Sequence, residues 1–186
     1  MDWLVIDEKY LNYLRDREKR IPISDYGNDK YKPFFGVLFE SEDFYYVTQV
    51  SHPQPRHVKM KSNEDFKKIY IPDSNRLIAV INLNYMFPIP KCMYEKLQYK
   101  DIEKHRSFKD EKEKSKYIGL MKTELKIMNG MNLSKAAMKL YDNKYKKPES
   151  DLAKRCIDFK DMEKLAIQYI KEQEKKGAVA LTIEKS

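Results

Sequence analysis

Residues 34–50 read FFGVLFESEDFYYVTQV. Two runs rich in aromatic and β-branched side chains, 34–40 and 44–50, flank Ser41, Glu42 and Asp43, a polar connection short enough for a β-hairpin although it lacks an Asn-Gly pair. The pattern predicts an antiparallel meander. Gly36 permits close backbone packing within its first strand, because glycine carries no side chain to hold a neighbour away.

Upstream, Pro33 sets the backbone immediately after Lys32. Residues 23–33 hold Ser24, Asp25, Gly27, Asn28 and Asp29, which favour turns, so this stretch is expected to be a loop. Before it, residues 3–6 read as an opening strand. Asp7 can accept a hydrogen bond from the free amides of a following helix that carries Tyr10, Leu11 and Leu14 on one face and ends before Pro22. Downstream, the proline-containing segment SHPQPRH (51–57) leads to strand candidates at 58–61, 68–71 and 76–83, the last the most apolar. Pro88 and Pro90 confine MFPIP to an edge or irregular strand, since proline offers no amide to a ladder, and the sheet is expected to end there.

From Asp110 the pattern turns helical. Tyr117, Leu120, Met121, Glu124, Leu125 and Met128 recur every three or four residues until Asn129 and Gly130. A second helix is expected from 133 to about 145 and a third from near Lys160. The final GAVALTIEKS reads as a short strand or a frayed tail. The expected fold is therefore α+β: a small, strongly curved antiparallel sheet with an N-terminal helix and added C-terminal helices. Residues 1–175 are expected to form one domain and 176–186 a tail.

The chain has 186 residues, 41% of them apolar and 12% aromatic, with five Gly and eight Pro, and so is neither disordered nor low-complexity. Its 37 Lys and Arg against 29 Asp and Glu give a net charge of +8, which favours a polyanionic partner such as nucleic acid. The charge is uneven: −3 over residues 1–50 (7 basic, 10 acidic), +6 over 51–109 (12 and 6) and +5 over 110–186 (18 and 13). A phosphate-tracking surface on the middle strands is one explanation; solvated Lys and Glu is the other, and suits the last third better. The N-terminal MDWLVIDEKY lacks the basic start and long apolar stretch of a signal peptide, and the longest strictly apolar run, 77–81, is too short to span a bilayer. A soluble cytoplasmic protein is expected. Cys92 and Cys156 have no metal-ligand spacing and read as reduced thiols.

Phosphate-binding glycine loops, nucleophile elbows and zinc motifs are missing from the sequence. The densest polar cluster is Thr48, Gln49, Ser51, His52, Arg56, His57 and Lys59, emerging from a strand through a loop; it is either a functional site or an exposed connection with local hydrogen bonds. Lys32 is either a scaffolded functional lysine or an ordinary surface one. Tyr10 either packs the first helix or turns its hydroxyl to a ligand.

Taken in order, EKYLNYL (8–14), YKPFFGVLFE (31–40), YYVTQVS (45–51) and LIAVINLNYMFPIP (77–90) resemble the ToxN/AbiQ family of endoribonuclease toxins from type III toxin–antitoxin systems. A weaker correspondence continues to CIDFKDMEKLAIQYI (156–170). The resemblance implies a bent sheet core similar to the Kid/MazF toxins and an RNA-cleaving toxin active in abortive infection. It also implies inhibition by a pseudoknot-forming repeat RNA that the toxin itself processes, with RNA-bridged oligomers. Tyr10, Lys32 and Ser51 match family positions. Val50 stands where the family has a threonine, so Thr48 is the nearest substitute. The basic residue usual after the serine is displaced, leaving His52, Arg56, His57 and Lys59 in competition, with Arg56 and His57 preferred. The family's loop tyrosine has two counterparts here, Tyr26 and Tyr31.

The expected mechanism is metal- and cofactor-independent attack of the ribose 2′-hydroxyl on the adjacent phosphate, giving a 2′,3′-cyclic phosphate and a 5′-hydroxyl. Lys32 and Arg56 would stabilise phosphate, Ser51 would hydrogen-bond it, and His57 or Lys32 would move protons, with Tyr10 beside them. Tyr31, Thr48, His52, Lys59 and Lys61 would contact RNA. Tyr45, Tyr46, Tyr85 and Phe87 are candidates for base stacking. The competing expectations are a noncatalytic RNA-binding module and a protein-interaction domain whose charge serves solubility.

Overall fold

Asp7 ends one element and starts the next. In the computed structural model, which describes residues 1–27 and 30–183 with side chains to 177, β1 (Asp2–Val5) runs into α1 (Glu8–Arg17), and the Asp7 carboxylate accepts the Lys9 amide at 2.8 Å. Asn28 and Asp29 of the expected loop, and residues 184–186 of the expected tail, lie outside the described residues.

The hairpin forms as expected. β2 (Phe34–Ser41) and β3 (Phe44–Ser51) pair antiparallel, closing at Ser41 opposite Phe44, with Glu42 in the left-handed region at φ 44°. Gly36 takes the close approach: a Cβ built there would stand 2.8 Å from Val47 Cγ1.

Between this hairpin and the next strand the structure departs from the expected third strand at 58–61. Residues Pro55–Lys59 form a short helix, α2. Pro55 suits a first helical turn, and Val58, 67% exposed, has no core face to bury, so nothing there favours a strand.

β4 (Phe66–Tyr70) and β5 (Leu77–Asn82) pair with each other, β6 (Phe87–Pro90) follows a 3-10 turn, and β7 (Glu95–Lys96) pairs with β1. The described sheet has the order β4-β5-β3-β2-β1-β7, with β6 also on β3. One edge of β3 serves two partners: Phe44–Val47 pair with β6, and Val50 and Ser51 pair with β5. Pro88 and Pro90 sit in β6 opposite Tyr46 and Phe44, an edge strand as expected. The sheet does not end there: β7 adds a strand on the far side of β1, where Lys96 Nζ meets Asp2 Oδ1 at 2.7 Å.

Helices cover the sheet. Asp110 caps α3 (Glu111–Gly130), accepting the Glu113 amide at 2.7 Å, and Trp3 Nε1 donates to the Met121 carbonyl at 3.0 Å, fastening α3 to β1. Ser134, in α4 (Leu133–Lys146), donates its hydroxyl to the Leu38 carbonyl of β2. A short helix missed by periodicity, α5 (Asp151–Arg155), places Arg155 Nε 2.9 Å from Asp65 Oδ2. α6 (Phe159–Ile183) packs on β6 and α1 and continues as helix through Gly177. Its early turns carry Met162, Ala166 and Tyr169 into the core. No helix among the described residues is long and apolar enough to cross a membrane.

Candidate active site

Lys32 stands at the end of a loop held from two sides. From α1, Glu8 accepts both the amide and the hydroxyl of Ser24, whose carbonyl in turn accepts the Lys32 amide at 2.8 Å. From β3, Gln49 Nε2 donates to the carbonyls of Ile23 at 2.7 Å and Lys32 at 3.1 Å, while its Oε1 accepts the Tyr26 hydroxyl at 2.8 Å. The Tyr26 ring then lies 4.3 Å from Lys32 Nζ, a cation–π contact. Partial burial, with Lys30 nearby, holds the Lys32 ammonium below its ordinary range.

Ser51 ends β3 on the same side. It lines a cavity of about 30 Å³ together with Lys32, His52, Tyr31 and Glu124, and also the wall of a larger cavity of about 340 Å³ bounded by Arg15, Lys19, Arg20, Tyr26 and Tyr85. Its hydroxyl has no hydrogen-bond partner among the described residues and is free to contact a ligand. On the other side of Tyr31 lies a third cavity, about 310 Å³, bounded by Lys30, Lys104, His105 and Arg106 and also by Asp25 and Glu103. Lys32 and Ser51 therefore sit between two cavities whose charged walls are mainly basic.

His52 projects into the small cavity. Desolvation comes first, then the positive charges of Lys32 and Arg106, in keeping its imidazole below the ordinary histidine range; the ring is therefore neutral at pH 7. Behind it, the Arg106 guanidinium lies 4.5 Å from the Tyr117 ring and pairs through Nη2 with Glu113 at 3.1 Å, while its Nε is buried and unpartnered among the described residues. Tyr117 donates its hydroxyl to the Tyr31 carbonyl at 3.1 Å. No three His, Cys, Asp or Glu side chains among the described residues are grouped to hold a metal ion.

With this geometry in view, a family model described as "Toxin ToxN, type III toxin-antitoxin system" matches residues 3–167. The chain belongs to this family. It is 27% identical over 130 residues to "Endoribonuclease ToxN" of Pectobacterium atrosepticum, covering 59% of this chain and 74% of that protein. Its fold is similar to that of AbiQ, a lactococcal anti-phage endoribonuclease of a type III toxin–antitoxin system, at TM-score 0.73 and 19% identity over 91% of this chain and 98% of that one. A structure from a bacterial antiviral system regulated by a processed non-coding RNA superposes at TM-score 0.71 with 18% identity, covering 88% of this chain and 96% of that one. One from a type III system whose toxin is selectively inhibited by a non-coding RNA pseudoknot also gives 0.71, at 20% identity over 90% and 96%.

Within this ToxN-family chain the expected site residues divide. Lys32, Ser51, His52 and Tyr31 share the small cavity. Tyr31 is 6% exposed, stacks on His105 at 4.9 Å and keeps its hydroxyl buried, so Tyr26 is the loop tyrosine with an accessible ring. Thr48 borders the larger cavity, but its hydroxyl donates to the Asn82 carbonyl at 3.1 Å.

Tyr10 requires correction: it is fully buried, its hydroxyl donates to the Pro88 carbonyl at 2.7 Å, and its ring meets Tyr169 edge-on at 5.1 Å. It packs α1 against β6 and α6 and does not reach the cavities.

His57 also requires correction. It lines none of these cavities and is buried in α2, where its Nδ1 accepts the Gln54 amide at 2.9 Å. In the neutral ring, Nε2 then carries the proton and has no lone pair for Arg56 Nε, 3.3 Å away. Burial, Arg56 and Lys68 depress its basicity. It is a capping residue. Arg56, Lys59 and Lys61 are exposed on and after α2, outside the cavity walls.

Of the four expected stacking aromatics, Tyr46 and Phe87 are core residues, Tyr45 packs against Tyr94 at 5.6 Å, and Tyr85 lines the larger cavity under Arg20. Sequence reading missed Arg15, Arg20, Arg106 and Glu124. Glu124 had one signal: a carboxylate within the apolar stripe of α3.

Proposed function

We propose that this chain is a sequence-selective, metal-independent endoribonuclease toxin that breaks RNA between Lys32, Ser51 and His52. One observation carries the function: these three side chains line a common cavity flanked by a basic one and by one of mixed charge in which cations outnumber carboxylates. RNA is a polyanion, and a strand running across the two flanking cavities leaves one ribose-phosphate linkage at Ser51. Its 2′-oxygen attacks phosphorus as the bond to the 5′-oxygen breaks, leaving a 2′,3′-cyclic phosphate and a 5′-hydroxyl. His52, neutral at pH 7, takes the 2′-proton; Lys32, with its lowered basicity, gives one to the departing oxygen. The Ser51 hydroxyl donates to the phosphate oxygens as charge builds, and the Arg106 guanidinium adds positive potential from the neighbouring cavity. Tyr26 and Tyr85 offer faces for bases, and Arg56, Lys59 and Lys61 hold backbone outside the cavity.

Residues 1–175 act as one toxin domain in the cytoplasm. The partner is a repeat-derived pseudoknot RNA that fills the flanking cavities, is processed by the same chemistry and bridges several copies of the toxin.

Incubating the purified chain with defined RNA in chelator, and reading the fragment ends by mass spectrometry, tests the function. Cyclic phosphate and 5′-hydroxyl ends are expected, with Lys32→Ala and Ser51→Ala slowing cleavage about 100-fold or more while RNA is still bound. RNA that is bound but left intact would make the chain a noncatalytic binder, and products that require a divalent metal would replace the mechanism.

A further inference from the structure

Glu124 is 6% exposed, faces the cavity it shares with Lys32, Ser51 and His52, and has no hydrogen-bond partner among the described residues. A carboxyl group largely withdrawn from water and without a partner costs stability, and such groups cluster where chemistry uses them. The polar and charged groups around it are Tyr117 on its own helix, Tyr31 and Lys32 from the loop before β2, and Ser51 and His52 at the end of β3, with Arg106 beyond Tyr117. The cavity that both Glu124 and the histidine line, about 30 Å³, has room for a water.

We propose that Glu124 is a positioning residue for RNA cleavage: its carboxylate, acting across this cavity, stabilises the imidazolium that His52 becomes as it takes the 2′-hydroxyl proton. This rests on the proposed cleavage at Lys32 and Ser51 and extends it by naming the group behind the base. A base whose positive charge develops only in the transition state is strengthened by a nearby negative charge held out of water. Burial pushes the Glu124 carboxyl up to about 7, so its charge is absent below neutrality and present above it. The histidine then acts alone in mild acid and with a carboxylate behind it in mild base.

The test is the single-turnover cleavage rate of the full chain and of Glu124→Gln on a defined RNA from pH 5.5 to pH 8.5. The ratio of wild-type to E124Q rates is expected to grow about tenfold between pH 6 and pH 8.5, corresponding to roughly 1.4 kcal/mol of added transition-state stabilisation. RNA affinity should stay constant, and Glu124→Asp should restore the increment. A packing role would lower the rate by one factor at every pH, so a flat ratio overturns the proposal. Should E124Q fail to fold, the wild-type protein decides the matter: the His52 ring resonances must show a second inflection near pH 7, and a single inflection overturns it. Wild-type cleavage that is insensitive to Lys32→Ala and Ser51→Ala would instead remove the proposed cleavage site itself, an outcome separate from a flat ratio.

Discussion

The side-chain amide of Gln49 donates a hydrogen bond to the main-chain carbonyl of Lys32 at 3.1 Å. A residue in the middle of the sheet thereby fixes the backbone of the lysine proposed to act on the leaving oxygen, and the same side chain binds Ile23 and Tyr26. Gln49→Ala removes three hydrogen bonds and leaves the half-buried carbonyls of Ile23 and Lys32 without this partner. A loss of about 2 kcal/mol in urea unfolding is expected, with cleavage slowed about tenfold at saturating RNA. Unchanged cleavage in a folded Q49A protein would show that Lys32 needs no such support.

His52 predicts the acid side of the pH profile. Its basicity is depressed below the ordinary 6.5 by desolvation, Lys32 and Arg106, so the neutral form persists to lower pH than in a free histidine. Cleavage should rise with pH along a limb centred below 6.5, and His52→Ala should abolish that limb. His57→Gln should leave it in place, since His57 caps α2. A limb that follows His57 would reverse the assignment.

Glu124 makes stability depend on pH. Its carboxyl titrates at about 7 in the folded chain, against an ordinary 4.5. Between these values the folded chain holds a proton that the unfolded chain has released, so the stability tied to this group is whole below 4.5 and is lost as pH rises through 7. E124Q cannot ionise and escapes the loss. Between pH 4.5 and pH 8 it should gain on the order of 3 kcal/mol over wild type in urea unfolding. Parallel stability curves would mean that Glu124 is ionised throughout.

Gly36 tests the packing under the site. An added Cβ meets Val47 Cγ1 at 2.8 Å and Leu4 Cδ1 at 3.3 Å, so Gly36→Ala should cost about 1–3 kcal/mol. Val47→Ala in the same chain should recover part of it, because the contact is with a side chain. A thermally neutral G36A would show that β1 and β3 yield at this point.

Much of the fold is legible one segment at a time. The 34–50 hairpin, the Asp7 cap, the edge strand with Pro88 and Pro90, and the helices after Asp110 and Asn132 all follow from local periodicity and local hydrogen bonding. Residues 58–61 failed that test because Val-Lys-Met-Lys alternates like a strand over only four residues, too few to outweigh Pro55 and the His57 cap, which stabilised a helical turn instead. β7 and α5 are too short to leave a pattern and owe their form to Asp2 and Asp65, partners distant in sequence.

Residue types and their spacing were enough to specify an α+β chain with a basic middle, and to place Lys32 and Ser51 at the ends of neighbouring elements. Which groups share a cavity depended on chain closure. Only the packed molecule put Tyr10 and His57 into structural roles and brought Arg106 and Glu124 from a later turn and helix to His52. Periodicity is a property of one segment, whereas a cavity's charge and dryness arise from the several segments that enclose it.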